Sequence, residues 1–272
     1  MADQVSIDMR GPHSRMDAEA VVETLDQLLK TIVELEVAQV RGALKAPRSR
    51  WRFTNLGLGS LHATLAPLKV EESSSEAILD VAALRLVKGF AVAETEDVIP
   101  EGWTPTAVRR GRTLANGLKH HLPDGVTLTL VRNGEPVPDV PTARVTSEVA
   151  VHLKNALDVR QESIGSVVGM IGSINIHRRS VAGLWPERGG SRLEVTFNAE
   201  DLDAVRAALG QRVLVAGRLK RNGAGQIVRL DMRTLELLPT DHESLRELYG
   251  LDRELTDGLS SLEYLRTVSD KP

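Results

Sequence analysis

SVVGMIGSINI, residues Ser166 to Ile176, is the stretch on which the fold turns. Its apolar residues mark a strand, yet Gly169 and Gly172 interrupt it. Glycine inside a strand signals a bend or the close approach of another backbone, as the strongly coiled first strand of a small barrel requires. Downstream, Val181 to Trp185 reads as a second strand, Pro186 to Gly190 as a turn, and Arg192 to Phe197 alternates as a third. Asn198 caps a helix expected over Ala199 to Leu209 that stops at Gly210. Arg212 to Leu219 and Ile227 to Leu237 complete the set, joined by the turn Asn222 to Gly225. The order is three strands, one helix, two strands.

At Val213 to Met232 the run VLVAGRLKRNGAGQIVRLDM resembles the last hairpin of OB-fold proteins, an alternating strand leading through a polar turn into its partner. The resemblance covers residues 163–239 and is one of architecture. It implies a five-stranded Greek-key barrel plugged by the helix between the third and fourth strands. It also implies binding of single-stranded nucleic acid, oligosaccharide or protein through the first and last inter-strand loops. Transferred by position, these loops carry His177, Arg178 and Arg179, and Lys220, Arg221 and Asn222. With Trp185, the candidate nucleic-acid contacts are therefore Arg178, Arg179, Lys220 and Arg221. Two basic loops suit a phosphate-tracking groove, and exposed basic loops also solvate a barrel. Aromatic content weighs against tight strand binding, because stacking contributes about 1–3 kcal/mol per base and only 3% of the chain is aromatic. Phe197 shares a strand face with Leu193 and Val195 and reads as core, and a lone Trp185 beside Pro186 reads first as a packing residue.

Working back toward the N-terminus, Gln4 to Met9 alternates as a strand, and Asp17 to Gly42 holds apolar residues at helical spacing, among them Leu25, Leu28, Ile32 and Leu35. Trp51 to Leu68 is extended, and a helix is expected over Ser75 to Glu94. Pro105 opens a third helix, Thr106 to His120, with a basic face of Arg109, Arg110 and Arg112. Val126 to Val131 is a strand ending in Asn133-Gly134, a hairpin turn signal. The fold class is α+β: an α+β domain at 1–133, a proline-rich linker at 134–141, an OB-like barrel domain at 142–239 and a helical tail at 240–272. Net charge is −3 overall, and its sum hides a gradient. Residues 1–150, 151–240 and 241–272 carry 17 basic and 20 acidic, 13 and 9, and 4 and 8 side chains, or −3, +4 and −4. A mildly basic middle hints at an anionic ligand.

The tail holds Leu245, Leu248, Tyr249, Leu255, Leu262 and Leu265 in two short helices spaced by Gly250 and Gly258. So many apolar groups on helices too short to be stable alone imply docking on this chain, on a second copy or on another protein. The segment resembles the toxin-binding tails of bacterial antitoxins, which implies a toxin partner reached by Arg253 or Arg266. No catalytic constellation, metal site or cofactor motif emerges. The seven histidines have no partner at ligand spacing, no histidine–carboxylate pair is apparent, and Gly57-x-Gly59-Ser60 lacks the Lys and helix of a phosphate cradle. Absence of cysteine fits a reducing compartment, and no apolar run approaches the ~18 residues of a membrane span, so the expected location is the cytoplasm. The expectation is a non-enzymatic adaptor acting through protein contacts, with single-stranded nucleic acid or RNA binding through the barrel as the alternative.

Overall fold

The computed structural model describes residues 3–9, 18–39, 50–57, 61–68, 76–122, 124–177, 179–188 and 191–239. The tail residues Leu245, Leu248, Tyr249, Arg253, Leu255, Leu262, Leu265 and Arg266, like Arg178, lie outside them.

Alternation builds the first sheet. In β1 (Gln4–Met9) Val5, Ile7 and Met9 are fully buried, whereas Gln4, Ser6 and Asp8 face outward. Strand β4 (Val126–Arg132) repeats the pattern in register, pairing Val5 with Leu130 and Ile7 with Leu128. Strands β2 (Arg50–Gly57) and β3 (Leu61–Leu68) complete the order β2-β3-β1-β4, antiparallel throughout. Helix α1 (Ala18–Val37) links β1 to β2, and α2 (Glu76–Ala93) with α3 (Pro105–His121) links β3 to β4. Two interleaved βαβ units with this strand order are the ferredoxin-like arrangement.

Trp103 organises the helical layer. It is fully buried, meets Phe90 edge-on at a centroid distance of 5.0 Å, and donates its indole N–H to the Arg85 carbonyl at 2.9 Å. Next to it, Thr104 caps α3, accepting from the Ala107 amide at 3.1 Å while its hydroxyl donates to Glu34 on α1 at 3.0 Å. Pro105 occupies the first turn, where its missing N–H costs nothing.

The stretch read as a linker belongs to this first layer. Asn133 and Gly134 both take positive φ, 56° and 85°, as a tight hairpin demands. Strands β5 (Glu135–Pro136) and β6 (Ala143–Val145) then return along β4. Helix α4 (Ser147–Leu157), capped by Thr146, buries Val149, Ala150, Leu153 and Ala156 in the same core.

From Gln161 the chain is a closed barrel: β7 (Gln161–Asn175), β8 (Val181–Pro186), β9 (Leu193–Thr196), β10 (Arg212–Arg221) and β11 (Ile227–Leu237). The ring order is β10-β11-β9-β8-β7, with β9 and β11 parallel and all other neighbours antiparallel. That is the topology of an OB barrel. Strand β7 serves both sides of the ring, pairing with β10 from Gln161 to Met170 and with β8 from Gly169 to Asn175. The handover requires glycine, since a Cβ on Gly169 would stand 2.3 Å from the Trp185 carbonyl oxygen. Phe197 is core, as its alternation implies. The helical segment is a 3-10 turn (Ala199–Asp201) followed by α5 (Leu202–Ala207), which closes the barrel with Val205. The described residues up to Leu238 belong to one compact unit. Among them no helix is long and apolar enough to cross a membrane.

Candidate nucleic-acid interface

The pleat of the barrel points alternate residues away from its core, and the register gathers those of β9 and β11. Glu194 lies opposite Arg229, and Thr196 opposite Asp231. On the far side of β9, Val181 of β8 faces Thr196. Helix α3 supplies a facing wall with Thr106 and Arg109, and the β7–β8 loop closes one end with His177 and Arg179. A cleft of about 870 Å³ results. Its lining carries Arg109, Arg179, Arg192, Arg229 and His177 against a single carboxylate, Glu194.

These cations differ in how firmly they are held. Arg109 grips Glu194 with two parallel bonds of 3.2 Å, tying α3 to the barrel. Arg192 donates through Nη2 to the Ser173 hydroxyl at 2.8 Å and lies 5.3 Å from the Trp185 ring centroid, a cation–π contact. Its Nε is buried without a hydrogen-bond acceptor. Arg229 sits 3.2 Å from Asp231 without hydrogen-bond alignment at Nε. Burial opposes ionisation of Asp231, but the Lys220 hydrogen bond at 2.7 Å and the charges of Arg229 and Lys220 outweigh it and hold the carboxyl below its usual range. Arg179 is exposed and has no ion-pair partner among the described residues.

Of the residues singled out from sequence, Arg179 enters this cleft. Trp185 stands at its back as a packing residue: its ring covers Gly172, and its indole N–H reaches toward the Ala38 carbonyl at 3.4 Å. Lys220 is taken up by Asp231 and, at 4.0 Å, by Glu162, while Arg221 donates to the Gly225 carbonyl at 2.8 Å. The second basic loop differs from expectation because its turn is clamped to the first layer. Gln226 exchanges both amide bonds with the Ile99 backbone, at 2.7 and 2.9 Å. Fully buried Asn222 donates to the Ala156 carbonyl and accepts from the Ala224 and Gln226 amides. This turn is a tie between layers, and none of its residues lines the cleft.

Sequence reasoning did not assign Arg109, Arg192 and Arg229, although the basic face of α3 and the outward phase of β9 and β11 carried the signal. It also missed a histidine–carboxylate pair. His152 Nδ1 lies 2.7 Å from Asp97, which accepts a further bond from Asn155 at 3.0 Å. The His152 hydrogen bond is the largest influence on Asp97 and, over the opposing effect of burial, holds its carboxyl below the usual range. The partners are 55 residues apart, so no local motif announces them.

No protein-family model matches the chain, and no curated protein matches it. Among solved structures, the S. pombe Stn1-Ten1 complex aligns at 22% identity over 36% of this chain and 73% of that one, with a TM-score of 0.23.

Proposed function

We propose that this protein is a non-catalytic binding module that holds single-stranded nucleic acid by its phosphates, in the cleft between the barrel face and α3. The observation that carries the reading is the lining: four arginines and a histidine converge on one concave surface with one acid among them. A groove of that sign concentrates and tracks a phosphate backbone. Trp185 is committed to packing and no Trp, Tyr or Phe lines the cleft, so base stacking contributes little. Binding in the cleft itself is therefore modest, tolerant of sequence and steeply salt-dependent. The protein-docking role read from the tail rests on residues outside the described set, and the cleft stands independently of it.

Titrating a labelled single-stranded oligonucleotide at rising salt tests the proposal. Log affinity is expected to fall linearly with log salt, by about 0.7 per phosphate contact. The variant Arg179→Ser is expected to flatten the slope by roughly 0.7. An unchanged slope, or no binding by the parent at low salt, removes the cleft from consideration.

A further inference from the structure

Arg192 lines both the cleft and a second cavity of about 370 Å³. Ile99, Val167, Pro186, Leu193 and Ile227 make its walls apolar. Ligand pockets run from about 300 to 1,000 Å³, so this one suits a single flat ring with its sugar. The polar groups around it are few. The Gln226 amide is committed to Ile99, which leaves exposed Glu101, exposed Arg188, Ser191 and Arg192.

One acceptor-only carboxylate beside donor-only guanidiniums selects among the bases. Guanine presents two adjacent N–H donors, N1–H and the exocyclic amine, to a carboxylate, and its O6 and N7 accept a guanidinium bidentately. Adenine and cytosine place an acceptor beside the donor on that edge, and thymine flanks its one donor with acceptors. We propose that the cavity receives one guanine base of the strand whose phosphates occupy the adjoining cleft, with Glu101 and Arg188 reading its two edges. This inference rests on the cleft reading above.

The test uses the full chain and fluorescence anisotropy with two labelled strands: oligothymidylate, and the same strand with one central deoxyguanosine. The guanine strand is expected to bind about tenfold more tightly, the discrimination of one bidentate contact. Deoxyinosine at that place lacks the exocyclic amine and is expected to lose most of the gain. Glu101→Gln is expected to bring the ratio of the two affinities close to one, since an amide offers a single acceptor, and the exposed position spares the core. Equal affinity for the two strands, with binding that still weakens with salt, overturns the guanine site and leaves the phosphate cleft standing. A preference that survives both inosine and Glu101→Gln overturns it as well. Failure of either strand to bind at low salt overturns the site and the cleft together.

Discussion

Asn222 shows how much a single side chain can hold when its partners lie far apart in sequence. It is wholly buried, and its amide satisfies the Ala156 carbonyl, the Gln226 side chain and two turn amides at once. Asn222→Ala leaves the Ala156 carbonyl and the Gln226 amide without this partner, while the Gln226 side chain keeps Ile99, and is expected to destabilise the protein by about 1–3 kcal/mol in urea unfolding. Loss below about 0.5 kcal/mol, the size of an ordinary surface change, would show that the turn is not a tie. The sequence identified Asn222 to Gly225 as a turn, because asparagine and glycine carry that information locally. That the turn is buried depends on positions 99 and 156, which no local pattern connects to it. The same scale holds a pH effect. The folded-state depression of Asp231 contributes stability above the unfolded carboxylate range, near pH 4, that is lost as pH falls through the lower folded value. Lys220→Met is expected to lower stability at neutral pH by about 0.5–1 kcal/mol, allowing for solvent screening. Thermal melts of variant and parent should converge below pH 3; a gap that persists there points to packing as the cause.

Two helical glycines separate the demands of an element from those of its packing. Alanine is the better helix former by about 1 kcal/mol wherever nothing else intervenes. At exposed Gly117 in α3 an added Cβ meets nothing within 4 Å, so Gly117→Ala is expected to stabilise by about 0.5–1 kcal/mol. At Gly89 in α2 the same atom would fall 2.0 Å from Trp103 Nε1. The Trp103 ring is fully buried and cannot retreat. Gly89→Ala is therefore expected to cost about 1–3 kcal/mol, and melting temperatures that move the same way for both variants would refute the packing argument. Elements were legible where one face is buried, as in β1, β4, β9 and α1. They were obscure where neither face is. The start of β7 is polar from Gln161 to Ser163 and exposed through Ile164, and only its pairing with β10 makes it a strand. Strands β5 and β6 are too short to show a period and lie among prolines, which read as linker.

At the scale of the whole molecule the two halves read from sequence are not independent. Gln226 bonds Ile99, Asn222 bonds Ala156, Arg109 grips Glu194, and Val228 of the barrel joins the core of the first layer. The cleft exists because of this seam. Its walls come from α3, the β7–β8 loop and two barrel strands, which is why local reading found Arg179 and left Arg109, Arg192 and Arg229 unassigned. Cutting the chain gives a consequence that can be measured. A fragment of residues 142–239 would carry α4 without α3, exposing Val149, Ala150, Leu153 and Ala156, which are buried in the intact chain. Removing water from those side chains contributes roughly 25 cal/mol per Å², and uncovering them leaves a contiguous apolar face that favours association. A fragment of residues 159–239 ends on the barrel side of that helix and keeps its own core of Leu184, Val195, Val213 and Leu230. The shorter fragment is therefore expected to be monomeric with a β-dominated circular dichroism spectrum, and the longer one to self-associate in analytical ultracentrifugation. Both are expected to melt below the intact chain, which should unfold in one transition with equal calorimetric and van 't Hoff enthalpies. A monomeric 142–239 fragment as stable as the intact protein would mean that the seam contributes nothing and that the barrel folds without the first layer.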